Sequence, residues 1–204
     1  MRIFLLRHGA TDWNLAGKCQ GTTDLELNEI GLRQAETAAL GLSREKIDAI
    51  YSSNLRRALQ TAGAVGRLHN LAVLVEEDLH ELDHGEIEGL TFAEIHAARP
   101  DFIRQWRDTP ADAVIPGGEK LIEVEKRAWD ALGRIAGRHR LEETLVVVSH
   151  NFPILAVLCR IIGTPLNQYR MYHLPPGGVV RLDYLSDASW RVMAENGKLP
   201  LREL

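Results

Sequence analysis

The 204-residue sequence contains only two cysteines, Cys19 and Cys159. Two cysteines are too few for a framework of disulfide bonds, and Cys159 lies in an apolar run where a buried thiol is expected. This low content favours a reducing compartment, and we expect the cytoplasm. The apolar opening at residues 1–6 is too short for a signal sequence or a membrane span before the charged Arg7. The sequence therefore predicts no membrane association.

Positive charge is also in short supply, because 28 acidic residues outweigh 24 lysines and arginines and give a formal net charge of −4. A chain of this charge has no broad basic surface, and we expect no nucleic-acid partner. An anionic ligand must then be held by a few locally clustered cations. The positions of individual arginines and histidines are therefore informative.

The sequence has no repeat, low-complexity tract or linker, so we expect one domain over residues 1–204. Short apolar runs alternate with helical patterns, which predicts an α/β protein with a mostly parallel central sheet covered by helices. The predicted strands are residues 3–6, 47–51, 72–75 and 145–149, with 178–184 and 190–194 as a late hairpin. The predicted helices are residues 28–42, 55–68, 121–139 and 153–162.

The stretch at residues 85–118 is rich in prolines and glycines and contains Trp106. We expect short helices and turns there rather than another strand–helix unit. Such an insertion is the natural candidate for a lid over an active site. Trp13, Trp106 and Trp129 are interpreted as packing residues, since no basic, aromatic-rich stripe surrounds them.

Cationic and imidazole side chains follow three of the predicted strands, where ligands of open α/β sheets bind. Arg7 and His8 follow the first strand. Arg57 lies in the first helical turn after the second strand, and His150 and Asn151 follow the last long one. This cluster suits phosphate, because guanidinium groups offer bidentate donors to its oxygens. The backbone amide of Asn151, at the start of a helix, is also predicted to bind a phosphate oxygen.

The residues around these positions form an ordered set of motifs. The set begins with Leu5-Leu6-Arg7-His8-Gly9 and continues through Gln20-Gly21, Ser52-Ser53-Asn54-Leu55-Arg56-Arg57-Ala58, Glu81, Gly117-Gly118-Glu119 and Ser149-His150. The set resembles the signature of the histidine phosphatase superfamily, also called phosphoglycerate mutase-like, over nearly the whole chain. The resemblance implies a three-layer α/β/α sandwich and a phosphatase.

The resemblance implies a role for each matching residue. His8 is expected to be the nucleophile that forms a phosphohistidine, and Glu81 the group that donates and accepts the proton. The phosphate and the substrate are expected to contact Arg7, Asn14, Gln20, Gly21, Arg57, His150 and Asn151. We also expect His84, three residues after Glu81, to lie at the pocket rim and contact the leaving group.

This chemistry predicts a raised pKa for Glu81, which must be protonated in the first step and ionised in the second. Guanidinium and imidazole groups supply the charge that metal ions supply elsewhere, so we expect no metal and no other cofactor. Two positions depart from the family pattern, since Ala10 replaces the usual Glu or Gln and Asn151 replaces a frequent Gly. We expect both to reshape the pocket without removing a catalytic group.

Two other kinds of function remain as alternatives. His80-Glu81-Leu82-Asp83-His84 spells the H-E-x-x-H signature of zinc proteases, which requires a helix so that both histidines share one face. Asp83 and Gly85 disfavour a helix, and this signature leaves the cationic cluster unexplained. The second alternative is a phosphate-binding module without catalysis, against which the intact histidines and Glu81 argue.

A mutase dependent on bisphosphoglycerate is the alternative within the family. Such mutases carry a longer, basic insertion after the catalytic glutamate, whereas the insertion here holds only Arg99, Arg104 and Arg107 among several acids. Hydrolysis is therefore favoured.

Residues 81–85 are similar to those of metal-independent phosphoserine phosphatases, but residues 196–200 are not. Phosphoserine, sugar phosphates, phosphoglycerate and ribazole phosphate are all candidate substrates. The expected binding partner is thus a small phosphorylated metabolite. We expect the protein to be a monomer or a homodimer.

Overall fold

The computed structural model of the chain describes residues 1–193 and places a six-stranded sheet at its centre. The strands are β1 (Arg2–Arg7), β2 (Ala49–Ser52), β3 (Val73–Val75), β4 (Thr144–Ser149), β5 (Val179–Tyr184) and β6 (Trp190–Met193). Their order across the sheet is β3-β2-β4-β1-β5-β6. The first four strands run parallel, while β5 is antiparallel to β1 and β6 is antiparallel to β5. The predicted mostly parallel sheet is confirmed.

Helices connect these strands and begin and end at recognisable signals. They are α1 (Asp12–Leu15), α2 (Glu29–Gly41), α3 (Arg56–His69), α4 (Phe92–Ala98), α5 (Pro100–Asp108), α6 (Leu121–Gly137) and α7 (Asn151–Ile162). The side chain of Asn28 caps α2 by accepting a hydrogen bond from the amide of Gly31 at 2.9 Å. Gly163 ends α7 in the left-handed conformation, with φ of 80°. The predicted helices match α2, α3, α6 and α7 to within two residues at each end.

Helices cover both faces of the sheet and enclose two hydrophobic cores. Helices α2 and α3 pack on one face, and α6 and α7 pack on the other. Strand β1 shows the division, because Ile3 and Leu5 belong to one core while Phe4 and Leu6 belong to the other. Successive side chains of a strand point to opposite faces. The three-layer α/β/α sandwich implied by the family resemblance is confirmed.

Residues 85–118 form an excursion from the sheet, built from a 3₁₀ turn and the short helices α4 and α5, as predicted. We call this segment the insertion. Its two ends are joined at the base, where the amide of Glu86 donates to the carbonyl of Pro116 at 2.9 Å. The amide of Glu119 also donates to the carbonyl of Asp83 at 3.0 Å. The insertion therefore leaves and re-enters the domain at one point, and its role as a lid stays a prediction.

Strands β5 and β6 form the predicted hairpin at one edge of the sheet. Asp187 stabilises the turn between them by accepting a hydrogen bond from the amide of Ser189 at 3.0 Å. Ala194, the predicted last residue of the hairpin, lies outside the described residues, as does the segment 196–200. No helix within residues 1–193 is both long enough and apolar enough to cross a membrane.

Candidate active site

The carboxyl ends of β1, β2 and β4 meet at one edge of the sheet, because these strands are neighbours and run parallel. The amide of His8 donates to the carbonyl of Ser149 at 3.1 Å, which fixes the segments after β1 and β4 side by side. The amide of Ser53 donates to the carbonyl of Val148 at 3.0 Å and does the same for β2. The structure thereby brings the two histidines His8 and His150 together, with their ring centroids 5.0 Å apart.

His8 is almost fully buried, with 3% of its surface exposed. Its Nδ1 lies 2.6 Å from the carbonyl oxygen of Gly9 and donates a hydrogen bond to it, which leaves the lone pair on Nε2. Burial, followed by the charges of Arg57 and Arg7, holds the pKa of His8 well below its usual value. The imidazole is therefore neutral near pH 7, which is the form that attacks an electrophile.

Gly9 is needed for this geometry because α2 begins directly beside it. A Cβ at Gly9 would lie 2.3 Å from the carbonyl oxygen of Gly31, closer than two such atoms approach. The neighbouring amide of Ala10 donates to Gln34 Oε1 at 2.8 Å, so the segment is fixed to α2 on both sides. The first two turns of α2 therefore hold the nucleophile segment in place.

His150 and Arg57 are both fully buried and bonded to each other. Arg57 Nε donates to His150 Nδ1 at 3.2 Å, so this nitrogen carries no proton. His150 Nε2 then donates to Ser53 Oγ at 2.8 Å. Burial is the main cause that holds the pKa of His150 well below its usual value. Both ring nitrogens are thus engaged within the protein, and the contact of His150 with a phosphoryl oxygen stays a prediction.

Arg57 also holds the segment that contains Gly21. Its Nη2 donates to the Gly21 carbonyl at 2.7 Å, and its Nη1 donates to the Thr23 carbonyl at 2.9 Å. Burial lowers the pKa of Arg57 to about 10, which keeps it charged at neutral pH. The amide of Gly21 donates to Glu88 Oε1 at 2.9 Å. Both backbone groups of Gly21 are thus engaged within the protein, and its contact with a ligand stays a prediction.

A cavity of about 420 Å³ is lined by Arg7 and Asn151, which adjoin His8 and His150 in the chain, whereas His8, Arg57 and His150 are not among its lining residues. We call five of its polar lining residues the polar wall, namely Arg7, Asn14, Gln20, Glu81 and Asn151, and Lys18, His84 and His173 also line the cavity. Apolar side chains of the insertion form most of the remaining wall. A cavity of this size accommodates a small molecule, and the few polar groups fix the orientation of the ligand.

The two departures from the family pattern lie differently with respect to this cavity. Asn151 lines it, in agreement with the expectation that this residue shapes the pocket. Ala10 is 3% exposed and is not among the lining residues. The expectation that Ala10 reshapes the pocket wall is therefore wrong, because its side chain is buried elsewhere.

Three buried nitrogen atoms of cavity-lining residues lack a hydrogen-bond partner within the described residues, namely Arg7 Nε, Gln20 Nε2 and His84 Nδ1. Buried polar groups are almost always paired, so a group of unpaired ones beside a cavity indicates a ligand. Arg7 is anchored through Nη1, which donates to Asn151 Oδ1 at 3.0 Å and to the Leu174 carbonyl at 2.7 Å. Its remaining N–H groups are oriented and available to an anion.

Asn14 and Gln20 are oriented by Thr11. The hydroxyl of Thr11 donates to Gln20 Oε1 at 2.6 Å, and the Thr11 amide donates to Asn14 Oδ1 at 3.0 Å. Both side-chain oxygens are therefore occupied. The amino groups of the two side chains are the ends left to donate, and their contact with a ligand stays a prediction.

The carboxylate of Glu81 caps the start of α7. Its Oε2 accepts from the amide of Asn151 at 3.0 Å, and its Oε1 accepts from the amides of Phe152 and Leu82 at 3.1 and 2.9 Å. A carboxylate thus occupies the positive helix end, and the contact of the Asn151 amide with a phosphate oxygen stays a prediction. Burial raises the pKa of Glu81 despite these hydrogen bonds, which is the predicted direction.

His84 lies in the wall of the cavity and not at its rim, which corrects the sequence-based expectation. Only 6% of its surface is exposed, and its ring centroid is 5.7 Å from that of Phe152. Burial lowers the pKa of His84 to about 4, so the ring is neutral at pH 7. This histidine therefore offers no positive charge to a carboxylate on a leaving group.

Residues 80–84, which spell the zinc-protease signature, lie in irregular backbone between the 3₁₀ turns Glu77–Leu79 and Gly85–Ile87. The two histidines of the signature consequently do not share a helical face. Throughout residues 1–193, no three His, Cys, Asp or Glu side chains are grouped so that they could hold a metal ion. The geometry gives the zinc-protease alternative no support.

Arg127 on α6 fixes the backbone that carries Glu81. Its Nη1 donates to the carbonyls of Asp78 and His80 at 2.8 and 2.7 Å, and its Nη2 donates to that of Glu81 at 3.0 Å. The same guanidinium forms a bidentate ion pair with Glu119, at 2.7 and 2.9 Å. With side-chain exposures of 13% and 17%, this pair is largely shielded from water.

Replacing Arg127 by methionine is expected to lower the free energy of unfolding by about 2–4 kcal/mol, because it leaves a half-buried carboxylate and three carbonyls without their donor. Urea denaturation measures the change. Arg134→Met is the matched control, since Arg134 lies on the same helix and pairs with Glu76 and Asp78 but is 41% exposed. The control should lose less than about 1 kcal/mol. Equal losses in the two variants would contradict the special role of Arg127.

Sequence reasoning missed both Arg127 and the apolar wall of the cavity. The partners of Arg127 among the carbonyls lie 46 to 49 residues away along the chain, so no local pattern identifies it. The sequence does contain a pattern that indicates the apolar wall, because Phe102, Ile103 and Trp106 fall on one face of α5. Trp106 packs against Phe152 and also lines the cavity, so its interpretation as a packing residue is incomplete.

Comparison with known proteins decides the family. The model of the histidine phosphatase superfamily (branch 1) matches residues 3–196. The chain belongs to this superfamily. Phosphoserine phosphatase 1 of Hydrogenobacter thermophilus is 37% identical over 169 residues, which are 83% of this chain and 80% of that protein. The match of the family model includes every residue of this histidine phosphatase that is discussed above as part of the site.

Two further relatives show that the superfamily of this histidine phosphatase includes proteins named as mutases and proteins named as phosphatases. The probable phosphoglycerate mutase GpmB of Proteus mirabilis is 30% identical over 184 residues, covering 90% of this chain and 85% of that protein. A mycobacterial glucosyl-3-phosphoglycerate phosphatase, solved in complex with VO3, is similar with a TM-score of 0.86 and 30% identity. That match covers 97% of this chain and 99% of the other.

Proposed function

We propose that this histidine phosphatase hydrolyses small phosphomonoesters in two steps, with His8 as the nucleophile and without a metal ion. The observation that carries the proposal is the state of His8, a buried neutral imidazole whose Nδ1 is committed to Gly9 while Nε2 keeps its lone pair. The charges of Arg7 and Arg57 act on the same ring. The names of the relatives, phosphoserine phosphatase and glucosyl-3-phosphoglycerate phosphatase, support a small phosphorylated substrate.

In the first step, Nε2 of His8 forms a bond to phosphorus while the bond from phosphorus to the ester oxygen breaks. Arg7, Asn14 and Gln20 donate hydrogen bonds to the phosphoryl oxygens, and donors oriented in advance stabilise the developing charge most effectively. Glu81 gives its proton to the departing oxygen, so that the leaving group departs as a neutral alcohol. Phosphohistidine and the Glu81 carboxylate remain on the enzyme.

Glu81 has to release the Asn151 amide before it acts as the acid. The Oε2 atom that accepts this amide at 3.0 Å is the atom nearest the start of α7. A bound phosphate dianion replaces the carboxylate there, because the helix end stabilises whichever anion lies closest. Burial and the nearby dianion then favour the protonated form of Glu81. The exchange couples phosphate binding to the protonation of the acid.

In the second step, water attacks the phosphorus of phosphohistidine and the bond to Nε2 breaks. A proton of the water passes to the Glu81 carboxylate, phosphate leaves, and the enzyme returns to its starting state. Arg57 and His150 act together in both steps, since the Arg57 Nε bond to His150 Nδ1 fixes the guanidinium beside His8.

Hydrolysis is favoured over mutase chemistry because a bisphosphorylated substrate needs cations for a second phosphate. Arg7 and Lys18 are the Lys and Arg residues that line the cavity within the described part of the chain. The three arginines of the insertion pair with surface acids, as Arg99–Glu86, Arg104–Asp101 and Arg107–Asp108. Incubation with bisphosphoglycerate and monophosphoglycerate should therefore release phosphate without interconverting the monophosphates.

The insertion is proposed to act as a lid within one domain that spans residues 1–204. It supplies most of the apolar wall of the cavity, and closing such a wall over a substrate excludes water during phosphoryl transfer. Its joined base keeps the attachment point fixed while α4 and α5 move. The expectation of a monomer or homodimer stays a prediction.

Phosphatase activity is expected to survive exhaustive chelation. The positive charge at the site comes from Arg7 and Arg57, and removing metal ions does not change these groups. Hydrolysis of p-nitrophenyl phosphate after dialysis against EDTA measures the effect, with a zinc-dependent phosphatase as a control that must lose activity. Activity that is lost on chelation and restored by zinc would overturn the metal-independent mechanism.

A further inference from the structure

Away from its polar wall, the cavity is apolar. The insertion lines it only with aliphatic and aromatic side chains, among them Ile87, Phe92, Ile95, Phe102, Ile103 and Trp106. A leaving group bound beside the phosphate must lie against this wall, because the polar wall is occupied by the groups that hold the phosphate. The insertion therefore determines which alcohols fit.

The aromatic wall begins one residue away from the phosphate-binding groups. Phe152 follows Asn151 at the start of α7, and its ring centroid is 5.7 Å from that of Trp106, with the rings nearly perpendicular. Trp106 is in turn stacked on Phe102 at 6.1 Å. Aromatic rings packed in this way present a continuous apolar surface to the atoms that adjoin the ester oxygen.

The insertion supplies no group that could pair with a charge on the leaving group, and the basic residues that line the cavity outside its polar wall are Lys18, His84 and His173. Lys18 lines the cavity, but it is exposed and its Nζ lies 5.7 Å from the ring centroid of Trp13. His84 is neutral at pH 7, as described above. A carboxylate or ammonium placed against the aromatic wall loses its hydration without gaining a partner there, which is costly.

We propose, on the basis of the phosphatase function above, that the preferred substrates are phosphomonoesters of an uncharged, mainly apolar alcohol about the size of an aromatic ring. The three observations agree on this class. The wall is apolar, it begins next to the phosphate, and it contains no charged side chain that could pair with a zwitterionic leaving group. Phosphoserine, the substrate in the names of several relatives, fits this wall poorly.

The test compares three esters of primary alcohols in EDTA, namely 2-phenylethyl phosphate, propyl phosphate and O-phosphoserine. Propyl phosphate matches phosphoserine in length but carries no charge on the leaving group, so the pair isolates the effect of charge. We expect kcat/KM to be highest for 2-phenylethyl phosphate, intermediate for propyl phosphate and lowest for O-phosphoserine. The first and last should differ at least about 100-fold, because even one methylene group in an apolar pocket changes kcat/KM by about 10-fold or more.

Two variants locate the effect in the cavity wall. Phe92 lines the cavity and is 58% exposed, so Phe92→Ala should fold and should lower kcat/KM for 2-phenylethyl phosphate about 10-fold, with little change for propyl phosphate. Val114→Ala is the matched control, since Val114 is 54% exposed in the same insertion but does not line the cavity. It should leave all three rates unchanged.

The outcomes separate this inference from the proposed function. If phosphoserine is hydrolysed as fast as 2-phenylethyl phosphate or faster, the apolar preference is overturned while the phosphatase function stands. If none of these esters nor p-nitrophenyl phosphate is hydrolysed and no phosphohistidine forms, the proposed function itself fails and this inference fails with it. The predicted order, with the Phe92 effect, supports both.

Discussion

Replacing His8 by alanine is expected to lower kcat for p-nitrophenyl phosphate by a factor of about 10⁴ or more and to abolish acid-labile phosphate on the protein. Both effects have one cause, because Nε2 of His8 is proposed both to break the ester bond and to carry the phosphoryl group. Rapid quenching with radiolabelled substrate measures turnover and labelling in the same sample.

The control for this experiment is His96→Ala, since His96 is an exposed imidazole on α4. It should retain full turnover and full labelling. The fold of His8→Ala can be checked by thermal denaturation, because the variant removes a buried ring that packs 5.0 Å from that of His150. Labelling that persists without His8 would assign the nucleophile elsewhere, and His150 would be the next residue to replace.

Glu81→Gln is expected to separate the two chemical steps by choice of leaving group. An alkoxide leaves only when it is protonated, whereas nitrophenolate leaves unaided. With p-nitrophenyl phosphate, the variant should release a burst of about one equivalent of nitrophenol per site and then turn over about 10²-fold more slowly than the wild type. With an alkyl phosphate it should give no burst. Rapid-quench measurements on both substrates test the prediction.

The structure adds a second readout for the same variant. One end of a glutamine at position 81 is an amino group, which repels the amide of Asn151 where Oε2 of Glu81 now accepts it. The free energy of unfolding should fall by about 1–3 kcal/mol. Glu77→Gln is the control, because Glu77 is exposed in the same acidic stretch and should change neither the burst nor the stability. Equal loss of the first step with both substrates would exclude Glu81 as the acid.

Much of the framework could be predicted from the sequence because its signals are local. The apolar runs of β1 and β4 are short, bounded and nearly all buried, and the helices α2 and α7 have clear start or stop residues. Parallel neighbouring strands then place their carboxyl ends together. That is why Arg7, His8, Arg57 and His150 could be assigned to one edge before any coordinates were known.

The internal bonding of the site could not be predicted in this way. Glu81 and Asn151 are 70 residues apart, and nothing in either segment signals that the Glu81 carboxylate caps α7. The expected position of His84 at a rim was wrong for a similar reason. Its burial depends on Phe152, which a different element supplies. A motif identifies the chemical groups, whereas tertiary packing decides their hydrogen bonds and protonation.

Because the insertion leaves and re-enters the fold at one hydrogen-bonded junction, the segment can be lengthened or rewritten without straining the strands that carry the histidines. Doubling the length of such a loop adds only about 0.6 kcal/mol of closure entropy. The junction between residues 83–86 and 116–119 is accordingly a graft point. Exchange of the segment between homologous scaffolds, with Glu88 kept because it holds the amides of Gly21 and Thr23, should transfer selectivity for the alcohol and leave phosphoryl transfer with the host.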